Sequence, residues 1–453
     1  MNKTTRFLLV VLMVFCVALP MFAGGQRDSA AGLTVVRYLN QETNPQVVAI
    51  QRDWITGFRQ EYPQFDVALE GAPAAVINQT IATYTQAGAP LDVIHADGGS
   101  AARLAAAGRL APLDDIVEKL GGRDAFFPGR LLIYNDRVYS INQAPTSPTL
   151  HYRTDIFEKH GLSTPRTYQD VLNAARIIDA NEPGMSGLGL PGGENRATTI
   201  YSGIFMWGFG GNYYDADLNV TTNTREVRQA LEFYAQLLQY APEDASGWAF
   251  NEPAEAYMAG RTAMLFLWNG ADLIRRQNPA LLEVTNIVRF PAGPRMHVTE
   301  QGGRYISIWG ASRNLEASKA WVEYIFRPEN SIKLTEMEPG MYPPKTHADW
   351  ALAERSTADA FRLYGDALFN EVFKSAEIAY NQIFHAGGIA PSYDRPRETG
   401  ILNPLIDAVW GSNVYATAVQ RVAYGGWSVD RAVVAMTEEL ERLSAALRAE
   451  LGL

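Results

Sequence analysis

Only one cysteine, Cys16, occurs in 453 residues, which excludes a disulfide-stapled scaffold. Positive charge is also short, with 39 Lys and Arg against 49 Asp and Glu and a net charge of −10. A nucleic-acid binder needs a basic excess to displace counterions, and this chain has the opposite balance. After the N-terminal leader no apolar run is long enough to span a bilayer. Catalytic signatures are equally scarce: no GxSxG elbow, HExxH zinc motif or GxxxxGKS/T phosphate loop occurs. Gly187-Leu-Gly-Leu-Pro-Gly192 fits GxGxxG. It follows a predicted helix rather than a strand, however, and Pro191 sits where the dinucleotide turn should enter its helix, so the segment reads as a flexible loop. Asp92, His95 and Asp97 lack a second ligand cluster, and Asp114-Asp115 and Glu438-Glu439 read as solvated faces. No catalytic residue, metal or cofactor is assigned.

What is present is an ordinary globular composition, 47% hydrophobic and 19% charged, long enough for two large lobes. Residues 1–23 read as an export signal. Lys3 and Arg6 form its basic region, Phe7 to Leu19 its apolar core, and Ala23 the small residue before cleavage. Phe15 is too bulky for a lipobox ahead of Cys16, so cleavage without lipidation and a periplasmic location are expected.

The remainder alternates strands and helices. Leu33 to Leu39 predicts a strand, and Asn44-Pro45 opens a helix through Val47, Trp54 and Phe58 that Pro63 ends. Phe65, Val67 and Leu69 alternate as a strand, a helix covers Ala74 to Ala87, and Leu91 to Ile94 is a short buried strand. A helix over Ala101 to Ala107 ends at Gly108. This β-α-β-α-β order predicts a mainly parallel sheet covered on both faces. Later, Thr167-Tyr-Gln-Asp170 is a capping box, Arg225 to Tyr240 an amphipathic helix, and a long helix follows Ser428. Segments 183–193, 291–303 and 339–345 read as loops or chain crossings.

The chain carries 9 Trp, 21 Tyr and 19 Phe, more rings than a core of this size demands. Ligands in open α/β sheets bind beyond the carboxyl ends of strands. Asn40-Gln-Glu42, Asp97-Gly-Gly-Ser100 and Trp268-Asn269 all follow predicted strands. Aromatic faces cover the apolar side of a sugar ring while carboxylates and amides take its hydroxyls. Tyr201 and Trp207, in an aromatic-rich stretch, are candidates for the same work, whereas the helix-periodic Trp54 and Trp321 read as core.

Six segments then resemble, in order, the family 1 extracellular solute-binding proteins, the carbohydrate receptors of ABC importers. They are Thr85 to Ile94, Ala106 to Asp114, Leu150 to Phe157 with Gly161-Leu and Pro165 to Tyr168, Phe209 to Tyr213, Met258 to Met264, and Gly302-Gly303 with Gly340 to Pro343. The sequence departs from the family pattern at Arg153, where asparagine is usual, and at Tyr168, where tryptophan is usual. The resemblance implies an α/β, two-lobe periplasmic-binding-protein fold of type II with a ligand cleft between lobes joined by chain crossings. It places one lobe at 33–146 plus 304–338 and the other at 147–303 plus 339–453. It carries ligand contacts onto Asp97, Tyr201, Trp268, Gly303, Arg304 and Tyr342, with Glu42 beside them. An arginine at 304 would favour an anionic group on the ligand. The implied partners are a small-molecule carbohydrate and the membrane permease of an ABC transporter, with no nucleic acid, for a monomeric receptor without enzymatic activity. A secreted glycan-processing enzyme and a receptor feeding a sensor or chemoreceptor are the rival classes.

Overall fold

A computed structural model describes residues 32–73, 76–381 and 402–453. The expected export signal with Cys16, and the expected helix start at Ala74, lie outside the described residues. In chain order the strands are β1 (Thr34–Asn40), β2 (Phe65–Gly71), β3 (Val93–Asp97), β4 (Leu131–Tyr134), β5 (Arg137–Asn142), β6 (Thr149–Arg153), β7 (Met264–Leu267), β8 (Thr285–Arg289), β9 (Thr299–Glu300), β10 (Arg304–Ile308) and β11 (Ala379–Tyr380). The helices that frame the site are α1 (Pro45–Glu61), α2 (Ile77–Ala87), α3 (Gly98–Ala106), α4 (Tyr168–Asn181), α5 (Arg196–Gly208), α6 (Arg225–Leu238), α7 (Gly270–Gln277), α8 (Leu315–Phe326), α9 (Pro328–Met337) and α10 (Val429–Leu451). Among the described residues no helix is long and apolar enough to cross a membrane.

Local signals act where they were expected. The Asn44 side chain accepts the Gln46 N–H at 2.9 Å, and Pro45 fills the first helical position of α1. Val47, Trp54 and Phe58 then fall on one buried face, where Phe58 meets Trp321 of α8 edge-on at 5.3 Å. Trp54 and Trp321 are both fully buried, as core residues. Thr167 and Asp170 form the reciprocal capping box of α4. Ser428 caps α10, which buries Val433, Met436 and Leu440.

The first sheet has the order β2-β1-β3-β10-β5-β4 and is mixed rather than mainly parallel. β1 runs parallel to β2 and β3, but β10 is antiparallel to both β3 and β5. β4 and β5 form a hairpin across Asn135-Asp136, both with positive φ as a tight two-residue turn requires. The expected boundaries also move. β3 starts two residues late, at Val93, and continues to Asp97, whose side chain accepts the Ser100 N–H and starts α3 at Gly98 rather than Ala101. The second sheet, β7-β6-β8, is wholly antiparallel.

The GxGxxG segment is not a flexible loop. Leu188 and Leu190 are fully buried, and the Gly189 N–H donates to the Met264 carbonyl at 2.8 Å, strapping the segment to the edge of β7. Gly187 presses on α4, where an added Cβ would fall 2.3 Å from the Ala175 carbonyl oxygen. Close packing, not phosphate binding, accounts for that glycine.

Two extended crossings join the sheets, one from β5 to β6 and the other returning through β9 to β10. They lie side by side, with Gly302 N–H donating to the Thr146 carbonyl at 2.9 Å and Gln143 N–H to that of Arg304 at 2.8 Å. After α8 packs back on the first sheet and α9 packs on α8 and α1, residues 338–346 lead toward the second, with Gly340 against the Trp268 carbonyl.

Candidate functional site

The site is built where these crossings meet the carboxyl end of β7. All four residues of β7 are buried, and α7 begins at Gly270, so the chain turns at Trp268 and leaves its ring half-buried at the strand end. Tyr201, on α5, lies nearly parallel to Trp268 at 13° with ring centroids 6.3 Å apart. Its phenol donates to the Phe266 carbonyl at 2.9 Å, which fixes the ring. Phe250 closes the group edge-on to Trp268 at 5.7 Å. The result is an offset aromatic pair with one partly open member.

A second group in this region is charged. Asn40, at the end of β1, accepts the Glu42 N–H and donates to the Glu42 carbonyl, both at 3.1 Å, and so holds Glu42 in a tight turn. His95 supports Asn40 through a 2.9 Å contact between Nδ1 and Oδ1. Burial, and then the Arg304 charge, push the His95 pKa down to about 3, so the ring is neutral and serves the scaffold. Asp92 is likewise structural, accepting from the Arg37 N–H, Ser312 and Asn314. The Glu42 carboxylate pairs with the Arg304 guanidinium at the first residue of β10. Gly303, just before it, packs closely on Asn142, since a Cβ would sit 2.3 Å from that residue's side-chain nitrogen. Tyr342 is buried against this pair, and burial, then the Glu42 charge, raise its phenol pKa. Burial is the largest single influence on Arg304 and works against its charge, but Glu42, Tyr342 and Glu338 together outweigh it and raise the guanidinium pKa.

The aromatic and charged groups are linked. The Asn269 side chain donates to Glu338 at 2.5 Å, and the Glu338 charge is felt by both Arg304 and Tyr342. Glu42, Arg304 and Tyr342 thus form one group, and the Asn269–Glu338 bond joins it to the turn that carries Trp268 and, through it, Tyr201. Asp97 is on the same sheet, opposite Arg304 in register, but its oxygens already accept from Ser100 and Asn78 as the cap of α3. Trp207 does not join them. It lies six residues beyond Tyr201, about two-thirds of a turn away around the helix. It is fully buried, with its ring 4.6 Å from that of Tyr380, so its place is in the core.

Sequence reasoning missed Glu300. It occupies the two-residue β9 beside Gly302, is 5% exposed, and its charge acts on Tyr201 and Tyr213. Burial raises its pKa to about 7, against a smaller opposing pull from Arg196. Asp272 on α7 is also raised to about 7, by burial and then by Glu338. Neither position has a motif to reveal it, because a two-residue strand and a helix first turn show no periodicity. Among the described residues no cluster of three His, Cys, Asp or Glu side chains could hold a metal ion. A separate cavity of about 270 Å³, lined by Phe127, Pro343, Trp350 and Phe373, contains none of the residues expected from sequence.

A pH effect follows from Glu300. Its folded pKa lies above the usual value of 4.5, so the fold favours the protonated acid. Its contribution to stability is full below about pH 4.5 and is lost as pH rises through 7. Glu300→Gln should therefore raise the unliganded melting temperature at pH 8, by up to about 3 kcal/mol of stability, and change little at pH 4.5. Melting curves at the two pH values check this; an equal shift at both would remove titration as the cause.

The profile of a protein family described as bacterial extracellular solute-binding protein matches residues 42–332. YcjN of Escherichia coli, described as an ABC transporter periplasmic-binding protein, is 21% identical over 462 residues, covering 96% of this chain and 98% of its own. An ABC transporter solute-binding protein from Thermotoga lettingae, solved with α-D-tagatose, superposes with a TM-score of 0.73 at 22% identity, covering 91% of this chain and all of its own. Maltose-bound MalE3 of T. maritima gives a TM-score of 0.71 at 19% identity, over 90% of this chain and 100% of its own. These likenesses establish the α/β, two-lobe fold of periplasmic binding proteins.

Proposed function

The chain belongs to the bacterial extracellular solute-binding protein family, and from that premise we propose that it captures a sugar or oligosaccharide for an ABC transporter by closing two lobes around it. The lobes in this reading are 33–146 plus 304–338 and 147–303 plus 339–453, and the ligand lies where the crossings meet. The observation that carries the reading is the half-buried Trp268 stacked on Tyr201, joined through Asn269 and Glu338 to the group around Glu42 and Arg304. A half-buried indole offers its face to the C–H side of a sugar ring, and the charged groups offer hydrogen bonds to hydroxyls. Tagatose and maltose in the two solved structures accord with this chemistry. Export by a cleaved signal, release into the periplasm, action as a monomer and delivery to a membrane permease complete the proposal.

Ligand that touches both lobes stabilises the closed state by its differential affinity. The test is a thermal-shift screen against monosaccharides, oligosaccharides and polyols. A ligand at a hundred times its Kd should add about 2.7 kcal/mol, a shift of several degrees. Steady hydrolysis of a glycoside by the pure protein, or no shift with any sugar or polyol, would sink the reading.

A further inference from the structure

Charge at the site does not favour an anionic ligand, although Arg304 by itself would. That guanidinium is already paired with Glu42, and Glu338 lies within its field. Glu300 stands differently. The residue is 5% exposed, its carboxylate makes no hydrogen bond or ion pair among the described residues, and the charge of Arg196 acts on it. Arg196 itself is held over the ring of Trp410, with its guanidinium carbon 5.1 Å from the centroid. A buried carboxylate without a donor is costly, and the cost falls when a ligand supplies one. Glu300 is placed for that role, since its oxygens lie beside Gly302 in the crossing and its field reaches Tyr201, the ring that stacks on Trp268.

We propose that Glu300 is a ligand-binding carboxylate at the crossing end of the site and that it sorts ligands by charge, favouring amino sugars, accepting neutral sugars and rejecting sugar carboxylates and phosphates. The proposal rests on the sugar-binding reading of the same site and adds the class of sugar. An ammonium forms a charge-assisted hydrogen bond with the Glu300 carboxylate, a hydroxyl forms an ordinary one, and an anion meets repulsion. Arg304 does not rescue the anion, because binding one would compete with Glu42.

Titration calorimetry of the purified protein with matched probes tests this: D-glucosamine, D-glucose, D-glucuronate and D-glucose 6-phosphate, together with the corresponding galactose series. In the wild type, affinity should fall from amine to neutral sugar to anion, with roughly ten- to a hundredfold between the ends. Glu300→Gln should collapse that order, and Glu300→Asp, which keeps the charge, should retain it. Thermal melts of each variant confirm that it is folded, and the aspartate variant keeps the test decisive if the glutamine variant is not. Glucuronate binding as tightly as glucose, an amine no tighter than its parent sugar, or an unchanged order in Glu300→Gln would each overturn the proposal while leaving the sugar reading intact. Failure of every sugar to bind would overturn both.

Discussion

Trp268→Ala is expected to weaken sugar binding by roughly 1–3 kcal/mol, by analogy with aromatic stacking on bases, while the folded protein persists. The ring is half-buried, and what covers it is another ring, Tyr201, at 13° and 6.3 Å, with Phe250 edge-on at 5.7 Å. Removing it takes away the open aromatic surface but leaves Tyr201 anchored through its bond to the Phe266 carbonyl. Trp207→Ala provides the contrast. That side chain is fully buried against Tyr380, so its loss should cost about 3–5 kcal/mol of stability and leave the affinity of folded molecules unchanged. Dissociation constants and melting temperatures of both variants separate the two roles. A Trp268→Ala protein that melts far lower yet binds normally would place the ligand elsewhere.

The two tryptophans also show where sequence is informative. Both lie near an aromatic-rich helix or an apolar strand, and composition alone treats them alike. Only the turn forced by Asn269-Gly270 distinguishes Trp268, and that turn is a local signal. Caps are local as well, which is why Asn44, Thr167 and Ser428 act where their spacing predicts. Strand pairing is not local. β10 joins β3 from some two hundred residues away and runs against it, so chain order suggested a parallel sheet and the pairing made a mixed one. The same distance hid the fate of Arg304. Its partner Glu42 lies 262 residues earlier, and without that pairing an arginine in a cleft reads as an anion receptor. Glu300 was invisible for a further reason. What makes a carboxylate consequential is the absence of partners around it, and neighbours are known only after folding.

The pairing of Glu42 with Arg304 sets an unequal cost on its two halves. The Glu42 side chain is 6% exposed, whereas that of Arg304 is 32% exposed. Removing the carboxylate leaves a guanidinium that water can partly reach; removing the guanidinium leaves a carboxylate that water cannot. Arg304→Met should therefore destabilise the protein by roughly 2–4 kcal/mol, below the full cost of breaking a wholly buried pair because Arg304 is one-third solvated. Glu42→Gln should cost less, and the double variant less than Arg304→Met alone, because no buried charge is then left without a partner. Denaturant melts of the two single variants and the double variant yield the coupling energy. Arg304 opens β10 directly after the Gly302-Gly303 crossing, and Glu42 is fixed by Asn40 at the end of β1, so the pair clamps the crossing to the first sheet. Additive single effects would mean that the two charges do not depend on each other, and the crossing would then be held by the Asn142 bonds to Gly302 and Arg304 instead.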